Sequence, residues 1–302
     1  MAAPVALDIA GRRLLLRGEA GDPDLPRLPA IAAGLAPLLA YARRTLPPDP
    51  VVLDVGANLG LVTLALAATF PAARLYAFEP SPRNAALCAA NLAANRVSAT
   101  LIRRAAGAAP GRLGFTEMAG FPAGSHLDPA GALTVPVVPL DDFVFTEAGL
   151  DRLDLVKIDA EGAEPAILAG AARAIETFRP ALYMEFNSWC LLAYGATNPL
   201  AFAHDLYQSF EVSLLQPDGS TLPAAASAAD FVRDNIGLHG SVTDVLLRLR
   251  PGARVPRPAA RPHDPQVQRL AAELAALRRS RSWRLTAPLR ALGSLLRRVR
   301  SG

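Results

Sequence analysis

The chain has 302 residues, 51% of them apolar, a net charge of +4 and two cysteines. That length holds one large α/β domain with appendages, and the apolar share suffices for a sizeable core. Cys88 and Cys190 lie far apart with no CxxC spacing, which argues against a structural zinc site or a disulfide framework and fits a reducing, cytoplasmic compartment.

The N-terminus lacks a basic segment followed by a long apolar run, so a secretory signal is not expected. No uninterrupted apolar run of about 18 residues occurs, so a membrane-spanning helix is not expected either. The charge is uneven. From Arg257 onward there are eleven arginines against Asp264 and Glu273, a net of +9, which leaves residues 1–256 at −5. The basic character belongs to the tail.

In chain order, residues 6–18 read as a hairpin or strand. Residues 27–46 carry apolar side chains at helical spacing and end at Pro47-Pro48. A regular series follows: a buried strand at 51–55, a helix at 61–70, a strand at 75–78, a helix at 82–95 and a strand at 100–103. Extended pieces at 113–116 and 133–139 lead to a buried strand at 155–158, a helix at 164–178 and a strand at 181–186. A further helix then precedes two extended segments, 210–215 and 242–248, which would close the sheet as an antiparallel pair. Alternating strands and helices with continuously apolar strands predict βαβ units and a largely parallel sheet. Residues 1–48 form an N-terminal strand and helix cap on a 49–250 domain. Residues 251–265 are a Pro/Arg-rich linker, and 266–302 a basic amphipathic helical tail.

Two segments carry the chemistry. The first runs Asp54-Val-Gly56-Ala57-Asn58-Leu-Gly60 from a strand into a helix, and the next strand ends at Glu79-Pro80. Glycine lets the backbone pass close to a ligand, and a carboxylate at the next strand end can accept hydrogen bonds from both ribose hydroxyls. The pattern departs from the dinucleotide fingerprint G-x-G-x-x-G, which favours an adenosyl ligand without a pyrophosphate. S-adenosylmethionine fits, with Asp54, Gly56, Ala57, Asn58, Gly60, Glu79 and Pro80 as its candidate contacts. The second segment, Lys157-Ile-Asp159-Ala-Glu161-Gly-Ala-Glu164, places Lys157 and Asp159 on one face of a strand end. Lys157 is the only lysine in the chain.

With Asp54–Gly60, Arg179-Pro180, Glu185 and the preceding Val135–Phe143, this second segment resembles the FkbM family of S-adenosylmethionine-dependent methyltransferases over roughly residues 50–190. The resemblance implies a doubly wound, mostly parallel, seven-stranded Rossmann-like methyltransferase sheet. It also implies methyl transfer to a hydroxyl oxygen of a sugar or natural product. Such transfer needs a positioned base, for which Asp159 is the first candidate, with Glu161, Glu185 and His126 behind it and Lys157 as an orienting partner. Glu164 reads instead as a helix-start residue complementing the dipole. The clustered carboxylates can also hold a divalent metal, a choice the residues leave open.

In the tail, Ser280-Arg-Ser-Trp283-Arg-Leu-Thr-Ala-Pro288-Leu-Arg290 resembles tails of bacterial glycosyltransferases and companion methyltransferases of surface-polysaccharide assembly, which favours a glycan acceptor. An arginine-rich amphipathic segment with a tryptophan can lie on an anionic membrane, placing the chain at the inner membrane surface, or pair with a partner protein. Sparse aromatic interleaving disfavours nucleic acid. A nicotinamide-dependent oxidoreductase and a non-catalytic scaffold in a glycan-assembly complex are the competing readings.

Overall fold

The computed structural model describes residues 2–118 and 120–256. The tail at 266–302 and residues 257–265 of the proposed linker therefore lie outside the described residues. The chain opens with a hairpin of β1 (Val5–Ile9) and β2 (Arg12–Leu16), then α1 (Leu28–Gly34) and α2 (Ala36–Thr45). β3 (Val51–Val55), α3 (Leu61–Thr69), β4 (Arg74–Phe78), α4 (Pro82–Ala94) and β5 (Thr100–Ile102) follow. An insertion contributes β6 (Ala105–Ala106), β7 (Gly111–Thr116), β8 (His126–Leu127) and β9 (Leu133–Val138). After α5 (Leu140–Asp142) come β10 (Leu155–Ile158), α6 (Glu164–Gly170), α7 (Ala172–Phe178), β11 (Ala181–Asn187) and α8 (Ser188–Ala193). The described part ends with α9 (Pro199–Ser209), β12 (Phe210–Leu215), β13 (Thr221–Pro223), α10 (Ala228–Gly237) and β14 (Val242–Leu249).

The central sheet has the order β13-β12-β14-β11-β10-β3-β4-β5. β3, β4, β5, β10 and β11 run parallel, while β14 lies antiparallel between β11 and β12. Seven strands thus form the expected doubly wound sheet, and the short β13 adds an eighth at the edge. Each strand's alternation feeds two cores. Leu53, Val156, Met184 and Phe186 pack on the side of α6, α7, α9 and α10. Val52, Leu155, Tyr183 and Leu246 pack on the side of α2, α3 and the opening hairpin. Burial on both faces explains why these strands read as unbroken apolar runs. The smaller sheet, β6-β9-β7-β8, folds from the insertion.

Two expected helices are broken. The 27–46 helix divides around Leu35, where Gly34 weakens the helix and Pro37 lacks the N–H that would continue it. The 164–178 helix divides at Ala171 because the chain packs tightly at Gly170, where a Cβ would sit 2.0 Å from the Gly107 carbonyl oxygen. Asp141, within the family-like 135–143 segment, then accepts hydrogen bonds from the N–H groups of Arg173 and Ala174 at 3.0 and 2.7 Å and restarts the helix as α7. The 21-residue helical stretch Leu25–Thr45 is long and apolar enough to cross a bilayer by length and composition alone. Here Leu28, Leu35, Leu38 and Leu39 from that stretch are buried in the second core. Residues 254–255 dock back on α7: Arg254 pairs with Glu176 at 2.6 Å, and Val255 is buried.

Candidate active site

The site lies at the carboxyl end of the parallel strands, in a cavity of about 460 Å³. That volume is ordinary for a small-molecule site. The turn after β3 is built by hydrogen bonds from Gly56 N and Ala57 N to the Phe78 carbonyl oxygen, 3.0 and 2.9 Å. Gly56 has a φ of +77°, and a Cβ there would lie 1.8 Å from the Asp159 carbonyl oxygen. Glycine is therefore required by conformation and by the approach of β10. Asn58, at φ +49°, donates its N–H to Glu79 Oε2 at 2.8 Å, and Ser81 N–H reaches Glu79 Oε1 at 3.0 Å. Burial pushes the Glu79 carboxyl up to about 7 against the pull of those two N–H groups.

Gly56, Asn58, Glu79 and Pro80 line the cavity as expected. Asp54, Ala57 and Gly60 are buried outside its lining. Asp54 accepts a hydrogen bond from the Thr63 hydroxyl at 2.5 Å and faces Lys157. Gly60 caps α3 at φ +85°, close against Cys88. These three shape the turn rather than form the cavity wall.

The wall around Glu79 fits S-adenosylmethionine. Asn58 Oδ1 and Asn84 Oδ1 are buried acceptors without a hydrogen-bond partner, both in residues lining the cavity. Asn84 Nδ2 donates to the Pro122 carbonyl oxygen at 3.2 Å, which fixes Oδ1 as the atom left over. An adenosyl ligand rich in O–H and N–H donors complements such acceptors.

Beyond this end, β10 and β11 bring the acidic residues together. Lys157 is buried, donates to the Gly56 carbonyl oxygen at 2.8 Å, and lies 3.4 Å from Asp159 and 3.6 Å from Asp54. Burial disfavours its charge, but Asp159 and Asp54 outweigh that and raise its pKa above the ordinary value. Lys157 is therefore a brace behind the site. Asp159, Glu161 and Glu185 each offer a carboxylate oxygen, all within 4.8 Å of one another. Such a cluster can bind a divalent cation with oxygen ligands. Glu161 has a φ of +51° and accepts a hydrogen bond from the Cys190 thiol at 2.8 Å. Burial, then repulsion from Asp159, pushes Glu161 up to about 8. Glu185 is raised well above the carboxylate range by burial and by Asp159 and Glu161. Glu164 is buried and structural: its Oε1 accepts from Ala160 and Gly162 N–H at 3.0 and 3.3 Å, clamping the loop.

His126 is not in a flexible segment. It forms β8, is buried, lines the cavity, and stacks on Tyr194 with centroids 3.6 Å apart. Its Nδ1 faces the Gly124 carbonyl oxygen at 2.9 Å. A carbonyl only accepts, so in the neutral ring Nδ1 carries the proton and Nε2 is the acceptor. Sequence reasoning missed Asn84, Asn187, Trp189, Cys190 and Tyr194, all lining the cavity. Asn187 ends β11, so the rule that ligands bind beyond the carboxyl ends of strands would have found it.

The description Methyltransferase FkbM domain matches residues 54–199. The 2-O-methyltransferase NoeI of Sinorhizobium fredii is 30% identical over 191 residues, covering 57% of this chain and 76% of that protein. The 31-O-demethyl-FK506 methyltransferase FkbM of Streptomyces tacrolimicus is 30% identical over 160 residues, 42% of this chain and 61% of that one. Among solved structures, the O-methyltransferase from Bacillus cereus in complex with SAH aligns with 74% of this chain and 81% of its own, at 13% identity and a TM-score of 0.41. The family match supports methyl transfer over the nicotinamide alternative. The chain belongs to the FkbM family and is an S-adenosylmethionine-dependent O-methyltransferase.

Proposed function

We propose that the acceptor is a hydroxyl group of a saccharide destined for a surface polysaccharide or similar glycan. The observation carrying this reading is the pairing, in one cavity, of Asp159, Glu161, Glu185 and Asn187 with the aromatic rings of Trp189, Tyr194 and His126. Carboxylates accept from sugar hydroxyls, and aromatic faces pack against the C–H faces of a sugar ring.

S-adenosylmethionine, when bound, supplies an electrophilic methyl group. The chain's own residues orient the acceptor and take its proton. In this reading Asp159 is the base, oriented by its ion pair with Lys157 at 3.4 Å. Burial raises Glu161 to about 8 and Glu185 above the ordinary carboxylate value, and in this reading both carboxyl groups hydrogen-bond the acceptor oxygens beside Asp159. With the cofactor bound, the acceptor oxygen would take the methyl group as the S–CH3 bond breaks to leave a neutral thioether, and the acceptor proton would pass to an Asp159 carboxylate oxygen. The same three carboxylates suit a divalent cation. The Lys157 ammonium already supplies a positive charge beside Asp159, so dialysis against EDTA should leave turnover unchanged; a loss restored by magnesium would transfer that role to a metal.

The acceptor reading is tested with labelled S-adenosylmethionine and a panel of saccharides and cell-surface glycans. A methyl ether on a sugar hydroxyl supports it, and transfer confined to non-sugar acceptors overturns it. We also propose that the tail holds the chain at the inner, anionic membrane surface, on the strength of the eleven arginines from Arg257 onward and the 3-4 leucine spacing. Deleting residues 257–302 should abolish co-sedimentation with anionic liposomes, and unchanged binding would sink the idea.

A further inference from the structure

We infer that an uncharged groove beside the cavity binds a hydrocarbon chain carried by the acceptor, making the substrate class a lipid-linked saccharide; this rests on the saccharide reading above. The groove, of about 350 Å³, lies where α8, the start of α9 and α10 meet. Its walls include Trp189, Leu192, Pro199, Leu200, Val232 and Ile236, and none of the described lining residues is charged. Leu200 and Ile236 are 39% and 56% exposed. Bulky apolar side chains held open to water along one groove mark a binding surface more than a packing defect.

The groove adjoins the active site. Trp189 lines both the groove and the catalytic cavity. Next to it, Ser188 and Ser241 line the groove while Val242 lines the cavity, so the two share one wall. That wall is tied together by the hydrogen bond from Ser188 N to the Ser241 carbonyl oxygen at 2.9 Å. A sugar seated against Asp159 and Trp189 would therefore send a substituent past Trp189 and Val242 into the groove. Asn198 Oδ1 accepts from the N–H groups of Leu200 and Ala201, capping α9. With bulky apolar side chains along its walls and no charge among its described lining residues, the groove suits an alkyl or isoprenoid chain.

The test measures binding of n-alkyl β-glucosides, from methyl to decyl, to the full chain loaded with S-adenosylhomocysteine. Each methylene entering the groove should tighten binding about fourfold. Leu200→Asp and Ile236→Asp should flatten that increase while leaving affinity for the methyl glucoside and for S-adenosylhomocysteine unchanged. Affinity independent of chain length, or an equal increase in the variants, overturns the inference. If the variants instead dissociate a dimer in sedimentation while the increase persists, the groove's occupant is a second copy and the inference falls. Decyl binding that the variants weaken, with no methyl glucoside bound and no sugar methylated, keeps the groove and sinks the saccharide reading. Methyl glucoside binding without any increase does the reverse.

Discussion

In the proposed reading Asp159 and Glu79 divide the site between them. Glu79, which accepts from the Asn58 and Ser81 N–H groups, would serve the cofactor, and Asp159, beside Glu161 and Glu185, the acceptor. Asp159→Asn should lower turnover by about 10²- to 10⁴-fold with S-adenosylhomocysteine affinity retained, the usual loss for a missing base. Wild-type turnover in that variant would remove Asp159 from the proton's path. Glu79→Ala should weaken S-adenosylhomocysteine binding in calorimetry by roughly 10- to 100-fold, as expected for lost hydrogen bonds to a carboxylate. At this scale the sequence was informative where polarity interrupts an apolar strand, as at Asp54 and Lys157, because such interruptions in a doubly buried strand need partners. It could not separate the residues lining the cavity, such as Glu79, from those bracing it from behind, such as Lys157 and Asp54. That distinction is set by which way each strand end turns. His126 and Tyr194 were hidden for another reason: they meet only because β8 and the segment after α8 fold to the same place.

Among the elements, the turn after β3 is the least tolerant of change. Gly56 combines a φ of +77° with a Cβ position 1.8 Å from the Asp159 carbonyl oxygen. Gly56→Ala should therefore cost about 3 kcal/mol or more in urea unfolding, since left-handed backbone strain adds to a backbone clash. A cost below about 1 kcal/mol would mean that the ends of β3 and β10 separate freely. The βαβ series was legible from periodicity nearly to the residue, for instance β3 at Val51–Val55 and α4 at Pro82–Ala94. The split of the 164–178 helix was not, because its cause is Gly107, far away in sequence. The insertion's sheet showed only β7 and β9, since β6 and β8 have two residues each and carry no period.

For the molecule as a whole, several carboxyls are buried at a cost that depends on pH. Burial first, with Asp159 adding, pushes Glu164 up to about 7, and Glu79 is likewise raised to about 7. Their folded-state pKa values lie above the ordinary carboxylate value, so folding takes up protons. The stability they contribute is complete below about pH 4.5 and is lost as pH rises through 7. Unfolding free energy without cofactor should fall between about pH 4.5 and 7, with Glu164 alone accounting for up to about 3 kcal/mol. Glu164→Gln should flatten that decline, and stability rising across the same range would contradict it.

The position of β14 has a consequence for how the chain assembles. This last described strand enters between β11 and β12, pairing Leu182–Asn187 on one side and Phe210–Ser213 on the other. During synthesis, β3, β4, β5, β10 and β11 can form a parallel half-sheet as soon as Asn187 has emerged. The β12–β13 hairpin has no place in the sheet until residue 249 is made. Until then β11 presents an open edge, exposed to pairing with another nascent chain. The wait adds long-range closure to the final step of folding, so truncations just before β14 should yield aggregates rather than a smaller folded domain.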